Sequence, residues 1–187
     1  LFNIMTAQMA CFYGLPSRGS GGVSDAHVVD AQAGLDSALG IWAATLGGVS
    51  YVQGPGGLSS SLTTSYAKLV MDDEIVALTE RMAGECPVDD NSLALAAIRE
   101  AGPLGTYLDK RHTLTNLRAG ALFHVQLLGR ESAEGWRQMG SPDLFAVAQT
   151  KAAEILRTHQ VPPLASEVER ELESVVRSIK QREGCEG

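Results

Sequence analysis

Two glycine-rich turns, each leaving a short strand and entering a helix, constrain this chain more than any other feature. The first lies in Gly14-Leu-Pro-Ser-Arg-Gly-Ser-Gly-Gly-Val-Ser-Asp-Ala-His-Val-Val-Asp-Ala-Gln-Ala-Gly34. It reads as a helix end, a strand from Leu15 to Arg18, a turn, and the start of a helix with very small side chains. The layout returns one βα unit later at Val49-Ser-Tyr-Val-Gln-Gly-Pro-Gly-Gly57. A strand that delivers its end into such a turn ahead of a helix is where α/β proteins place ligands. Two such units in succession predict part of a parallel sheet or barrel with a site on one face.

The flanking residues extend this pattern. Phe2, Met5, Met9 and the Phe12/Tyr13 pair recur at helical spacing, so residues 2–13 predict a helix closed by Gly14. A chain that opens inside a helix on Leu1, with no initiator Met, reads as the C-terminal part of a longer protein. Ser24 or Asp25 is expected to cap the second helix, which runs to about Leu46. Ala31, Ala33, Gly34, Ala38, Gly40, Ala43 and Ala44 would let it lie close to a neighbour. Val49 to Gln53 predicts the second strand, and residues 54–61 a loop.

A third helix is expected from Leu62 to about Gly84. Leu69, Val70, Ile75, Val76, Leu78 and Met82 would form its buried face, with Lys68, Asp72, Asp73, Glu80 and Arg81 in water. Beyond Pro87, the run Asp89 to Glu100 predicts one short helix and Thr106 to Leu108 a third extended segment. Only helices are predicted afterwards, over 112–119, 132–138, 142–158 and 164–183.

Composition excludes several classes. The 187 residues suffice for one domain with a real core. A net charge of −7 with no Lys/Arg cluster argues against nucleic acid. No apolar run approaches about 18 residues, so no membrane span is expected, and no secretory signal is visible. The 3 cysteines, at positions 11, 86 and 185, are odd in number and lack CxxC spacing. Neither a zinc site nor a disulfide framework is favoured, and a reduced, cytoplasmic setting is expected.

The residues that could carry chemistry cluster at the turns. Neither glycine loop contains GK[ST], so neither is a Walker A cradle, and Gly19-Ser-Gly-Gly22 lacks dinucleotide-site spacing. Gly21, Gly22, Gly54 and Gly56 serve either tight turns or close backbone approach to a ligand. Asp25-Ala-His27-Val-Val-Asp30 nearly matches a DxHxxG corrinoid pattern, but its sixth residue is Asp and no downstream partner motif follows. Arg18 would clamp a carboxylate in bidentate fashion or pair with an acidic loop residue such as Asp25. Gln53 closes the next strand with both a donor and an acceptor, for a ligand or for structure. Tyr51, Tyr66 and Tyr107 offer either walls for a cation or simple core. His112 would orient a substrate or cap a helix, while His124 and His159 read as packing or surface residues. No nucleophile elbow and no His/carboxylate cluster with metal-ligand spacing is present, so no metal is expected.

Several colinear segments resemble the trimethylamine methyltransferase superfamily. They are residues 15–34, Leu62-Thr-Thr-Ser-Tyr-Ala-Lys-Leu-Val-Met-Asp-Asp-Glu74, Ile98-Arg-Glu-Ala-Gly-Pro-Leu-Gly-Thr-Tyr-Leu108, His112-Thr-Leu114 and Trp136. The resemblance implies an α/β fold: residues 1–120 as the C-terminal half of a (β/α)8 TIM barrel, and 121–187 as a helical extension packed on it. A whole barrel takes about 250 residues. The resemblance also implies a methyltransferase that moves a methyl group from a methylated amine to the Co(I) of a separate corrinoid protein, with no cofactor bound directly. The archetype carries pyrrolysine near the first turn; ordinary residues fill Gly21 to His27 here, which resembles the glycine-betaine branch. Many relatives have His where this chain has Gln53, and several have Trp-Leu-Glu at Gly57-Leu58-Ser59.

On this reading Arg18, Gln53, Tyr107 and His112 bind the substrate, and Gly21, Gly22, Asp25, Gly54 and Gly56 position the loops. The open sheet edges of a partial barrel predict a homo-oligomer or a partner. A competing reading is an inactive remnant that serves only as an interaction fragment. A barrel lyase would need a strand-end Lys, whereas Lys68 and Lys110 are expected in a helix and a loop.

Overall fold

The structure is a computed structural model that describes residues 1–184, so Cys185 lies outside the described residues. Its elements are α1 (Phe2–Phe12), β1 (Arg18–Ser20), α2 (Ala31–Leu46), β2 (Tyr51–Gln53), β3 (Gly57–Leu58), β4 (Thr63–Thr64) and α3 (Tyr66–Ala83). They continue with α4 (Asp90–Leu93), α5 (Leu95–Ala101), α6 (Arg111–Arg118), α7 (Ala133–Gln138), α8 (Leu144–Thr158) and α9 (Ser166–Glu183). The chain divides into two compact units, Leu1–Ala153 and Glu154–Gly187.

The two expected βα units are present. β1 and β2 pair in parallel, with Arg18 opposite Tyr51, Gly19 opposite Val52 and Ser20 opposite Gln53. Parallel neighbours need a crossover, and α2 supplies it. The strand starts at Arg18 instead of ending there, because the residues before it close α1. The Gly14 amide donates to the Cys11 carbonyl (3.1 Å) and the Leu15 amide to that of Ala10 (2.9 Å), a Schellman ending. Gly48 and Val49 close α2 in the same way on Thr45 and Ala44.

Asp30 caps α2, in place of Ser24 or Asp25. Its Oδ1 accepts from the amides of Gln32 (2.9 Å) and Ala33 (3.2 Å). The Ser24 hydroxyl is used elsewhere: it donates to Asp36 at 2.7 Å and accepts the Ala26 amide at 3.0 Å. Asp25 accepts from the Ser60 hydroxyl at 2.6 Å.

Three further expectations are corrected. Residues expected as loop (54–61) and as the start of the third helix (from Leu62) form an antiparallel hairpin, with Gly57 opposite Thr64 and Leu58 opposite Thr63. α3 therefore starts at Tyr66, behind a Ser65 cap that accepts the Lys68 amide. The single helix expected over 89–100 is two, because Ala94 takes a left-handed φ of 52°. Thr106 to Leu108 is no strand: Gly102 (φ 67°) and Leu104 (φ 123°) curl the chain, and the Gly105 amide returns to the Gly102 carbonyl. The described residues hold two two-stranded sheets among many helices and form no closed barrel.

α2 is buried through Ala33, Ser37, Ile41 and Ala44, of which Ala33 and Ala44 belong to the expected small-residue set, while Ala31 is exposed. One apolar cluster joins Ala26, Ala33 and Leu58 with Val29. Another joins Ala67, Leu127 and Ala148 with Val70, Met71 and Phe145 among others. The faces of α3 are partly reversed from the expected pattern: Leu69 and Met82 are exposed, whereas Lys68, Asp72 and Thr79 are buried. The Glu74 carboxylate, also buried, accepts the Gln126 amide at 2.8 Å and so fastens the chain after α6 to α3. In the second unit α9 is exposed along its length and carries a Glu173–Arg177 pair at 3.4 Å.

Asp89 shows how a cap becomes a pH response. It forms a capping box at α4, its side chain accepting the Ser92 amide at 2.7 Å while the Ser92 hydroxyl accepts the Asp89 amide. The backbone bond from Ser92 outweighs an opposing desolvation and, with smaller help from the Ser92 hydroxyl and the Asn91 amide, holds the exposed Asp89 carboxyl below the usual 3.8. A carboxyl depressed in the folded state stabilises above its unfolded value and loses that contribution as pH falls through the folded one. NMR titration is expected to place Asp89 below an Asp89 peptide standard, and Ser92→Ala, which keeps the amide, to leave most of that depression in place.

Candidate functional site

The strand pair has two unlike faces. Successive strand residues point to opposite sides, so Gly19 and Val52 share one face, and Arg18, Ser20, Tyr51 and Gln53 the other. The first face packs on α2: a Cβ on Gly21 would stand 2.7 Å from Val52 Cγ1 and 3.1 Å from Ile41 Cα. The second face is polar, with Arg18 and Tyr51 exposed and Gln53 half-buried. Arg18 Nη2 donates to Gln53 Oε1 across the two strands. Arg18 thus takes up Gln53 in place of the acidic loop residue considered above. A guanidinium has five N–H donors in a planar fork, so one such bond fixes its plane and leaves capacity for a carboxylate.

Beyond the strand ends the two turns are laced together. The Gly21 amide donates to the Gln53 carbonyl at 2.8 Å and extends the ladder by one step. Further bonds run from the Ser24 amide to Gly57 (3.1 Å), from Ser59 to Ala26 (3.0 Å) and from Ser60 to Ser24 (3.2 Å). His27 Nδ1 meets the Ser59 hydroxyl at 2.8 Å, and Ser60 bonds Asp25. Ser59, Ser60 and Ser61 all take left-handed φ values, 49°, 54° and 69°. Gly22 (φ 83°) and Gly54 (φ 105°) are glycines because the loops touch there. A Cβ on Gly22 would lie 2.9 Å from Pro55 Cα, and one on Gly54 2.2 Å from Val23 Cγ2. The glycines thus serve the close approach of one loop to the other. Gly56 contributes its amide, which donates to Asp72 Oδ2 at 2.7 Å.

Beneath this rim lies an ion pair that the sequence pattern places in water. Lys68 and Asp72 are each 1% exposed and meet at 2.7 Å. Lys68 Nζ also donates to the Gly22 carbonyl (2.5 Å) and the Ser37 hydroxyl (2.7 Å). Its i,i+4 spacing to Asp72 is the only local signal, and such spacing usually marks a surface pair. All three Nζ protons are used in this way, which removes Lys68 as a nucleophile.

Neither Tyr107 nor His112 hydrogen-bonds to the strand pair. Tyr107 lies in the turn before α6 and is 45% exposed. His112, in the first turn of α6, contacts the Asn91 carbonyl through Nε2 at 2.7 Å. A carbonyl only accepts, so Nε2 carries the proton. The Asn91 and Asn116 amides join the same cluster at 3.0 Å, which holds α4 to α6. A separate open cavity of about 380 Å3 is lined by Leu127, Leu128, Trp136, Met139, Pro142 and Leu144 among others, and shares no residue with the rim.

Comparison with known proteins gives one consistent result. The trimethylamine methyltransferase (MTTB) family model matches residues 1–184. Trimethylamine methyltransferase MttB2 of Methanosarcina mazei is 32% identical over 176 residues, covering 94% of this chain and 35% of that protein. Trimethylamine methyltransferase MttB of Desulfitobacterium hafniense is 29% identical over 184 residues, 98% of this chain and 37% of its own length. Glycine betaine methyltransferase of Desulfitobacterium hafniense is 33% identical over 177 residues, 94% of this chain and 36% of its own. The chain spans about a third of the length of the curated relatives it matches.

Proposed function

This chain belongs to the trimethylamine methyltransferase family, and from that premise we propose that it is part of an enzyme transferring a methyl group from a quaternary amine to the Co(I) of a separate corrinoid protein. β1 and β2 are then adjacent strands of a (β/α)8 barrel to which residues 1–120 contribute, and residues 121–187 are a helical extension. The enzyme works in the cytoplasm as a homo-oligomer. The corrinoid arrives with its own protein and is a substrate of the reaction, so no cofactor is resident in this chain.

The observation that supports this reading most is the Arg18–Gln53 bond on the strand face turned away from α2. It offers a fixed cationic fork that runs from Arg18, the first residue of β1, to Gln53 at the C-terminal end of β2, the end at which barrel enzymes hold substrates. A betaine presents the matching groups, a carboxylate for Arg18 and a cationic nitrogen for an aromatic face. Tyr51 shares the strand face with Arg18 and supplies such a ring.

The chemistry asks little else of the chain. When the N–CH3 bond breaks, its electron pair stays on nitrogen and a neutral tertiary amine leaves, so no general acid is needed. The methyl carbon goes to the Co(I) nucleophile. The contribution of this chain is placement of one methyl in line with the acceptor. Gln53 holds the guanidinium plane, and Arg18 holds the carboxylate. The Gly21–Gly22 and Gly54–Gly56 turns, with Asp25 tied to Ser60, form the rim. Tyr107 and His112 take no part in this placement; His112 acts as a fastener between α4 and α6.

The test compares two substrates in the full-length chain with a Co(I) corrinoid protein. Arg18→Ala is expected to lower kcat/KM for glycine betaine by about 10- to 100-fold, the worth of a charge-assisted hydrogen bond. For tetramethylammonium, which has no carboxylate, the loss is expected to stay under about threefold. Equal losses would remove Arg18 from the role. A wild-type chain that leaves the Co(I) absorbance unchanged with every quaternary amine would remove the reading itself.

A further inference from the structure

We propose that the buried Lys68–Asp72 pair is a positioning element that sets the gap between the two strand-end loops and thereby the affinity of the site for its amine. The proposal rests on the functional reading above. Its basis is an unbroken line of polar contacts. The Gly22 carbonyl accepts from Lys68 Nζ, Nζ meets Asp72 Oδ2, and Oδ2 accepts the Gly56 amide, at 2.5, 2.7 and 2.7 Å. One end of this line is the loop after β1 and the other is the loop after β2. Both residues that make the link sit on α3, one turn apart, and neither touches water.

Stability alone is a weak reason for such a pair. Desolvating two charges offsets most of their attraction, and apolar side chains of similar volume often serve a fold equally well. What apolar side chains cannot do is grip a carbonyl on one loop and an amide on the other. The groups gripped belong to the turns that follow Arg18 and Gln53 by a few residues. Small displacements of groups that hold a substrate carry large kinetic penalties. Other bonds also join the loops, from the Gly21 amide to the Gln53 carbonyl and from Ser24, Ser59 and Ser60, but only the Lys68–Asp72 line ties both loops to α3. Lys68 and Asp72 therefore act through Gly22 and Gly56, with no contact to the substrate.

The decisive variant is Lys68→Met combined with Asp72→Asn. Both charges leave together, so none is stranded. The Gly22 carbonyl keeps the Ser37 hydroxyl as a donor, at 3.3 Å, and the side-chain oxygen that Asp72→Asn retains can still accept from the Gly56 amide. Only the link that passes through α3 is cut, and the other bonds between the loops keep their groups. In the full-length chain, assayed with glycine betaine and the Co(I) corrinoid protein, KM is expected to rise about tenfold while kcat changes less than about threefold. The amides of Ser24, Ser59 and Ser60 are expected to exchange hydrogen about tenfold faster, with those of α2 and α3 unchanged. The melting temperature is expected to move by less than about 5 °C.

An unchanged KM, or unchanged exchange at the three serines, overturns the proposal while leaving the functional reading standing. A wild-type chain without amine-dependent methylation overturns that reading, and the proposal falls with it. Should the double variant not fold, Asp72→Glu keeps the charge and moves the carboxylate by one methylene. It is expected to raise KM about threefold, and an unchanged KM there also overturns the proposal.

Discussion

Lys68→Met alone is expected to cost about 3–5 kcal/mol of folding stability, the range for breaking a buried ion pair from one side. The reason is what it leaves behind. Asp72, 1% exposed, would be left with only the Gly56 amide as its partner. The Gly22 carbonyl would keep the Ser37 hydroxyl as its donor, so the larger penalty is the stranded carboxylate. Urea unfolding followed by circular dichroism measures the loss directly. The Lys110–Glu100 pair is the matched control: its glutamate is 66% exposed, and deleting it is expected to leave the midpoint in place. A midpoint equally insensitive to both deletions would contradict the burial of Lys68 and Asp72.

Gly22→Ala is expected to be nearly as damaging, by about 2–5 kcal/mol, from overpacking together with a left-handed φ. The added Cβ would lie 2.9 Å from Pro55 Cα and 3.1 Å from Pro55 N, backbone atoms that no rotamer change can move aside. Gly22 also has a φ of 83°, where a side chain is strained whatever the space. Gly14→Ala separates the two effects. Gly14 has a φ of 65° but nothing within 4 Å of a built Cβ, so only the backbone cost applies, about 1–2 kcal/mol. If both variants lost the same stability, the contact between the two loops would not be the reason for glycine at position 22. Under the functional reading, Gly22→Ala also lowers methyl transfer, since the loop it displaces carries the Lys68 acceptor.

These two positions mark where sequence reasoning succeeds and where it stops. The βα units were legible because their signals are local. Gly14 and Gly48 end helices, β1 and β2 follow, and α2 announces itself by a run of small residues. Parallel pairing followed from the chain order. The hairpin at 57–64 was not legible, since Leu58 and Leu62 among Gly, Ser and Thr make no alternating apolar pattern and its conformation depends on three consecutive serines at left-handed φ. The cap at Asp30 was misplaced because Ser24 and Asp25 have the right chemistry but spend it on Asp36 and Ser60, each more than ten residues away.

The same limit explains the site. Arg18 and Gln53 stood out because each neighbours a strand end in one dimension. Lys68 and Asp72 did not, because an i,i+4 charge pair looks alike on a wet surface and beneath two loops. What distinguishes them is the pair of backbone groups at Gly22 and Gly56 that converge on them, 46 and 16 residues away in sequence. Tyr107 and His112 were drawn toward the substrate by an expected third strand. The left-handed turn through Gly102 and Leu104 replaces that strand and gives His112 to Asn91 instead.

The central claim is that the polar face of β1 and β2 is the floor on which a methylated amine lies. A crystal structure of the full-length protein with glycine betaine tests it most directly. The carboxylate of the ligand is expected on the Arg18 guanidinium, with Gln53 still bonded to Arg18 and the quaternary nitrogen against the Tyr51 ring. A ligand seated elsewhere, with the face of Arg18, Ser20, Tyr51 and Gln53 covered by other side chains of the same protein, would contradict it.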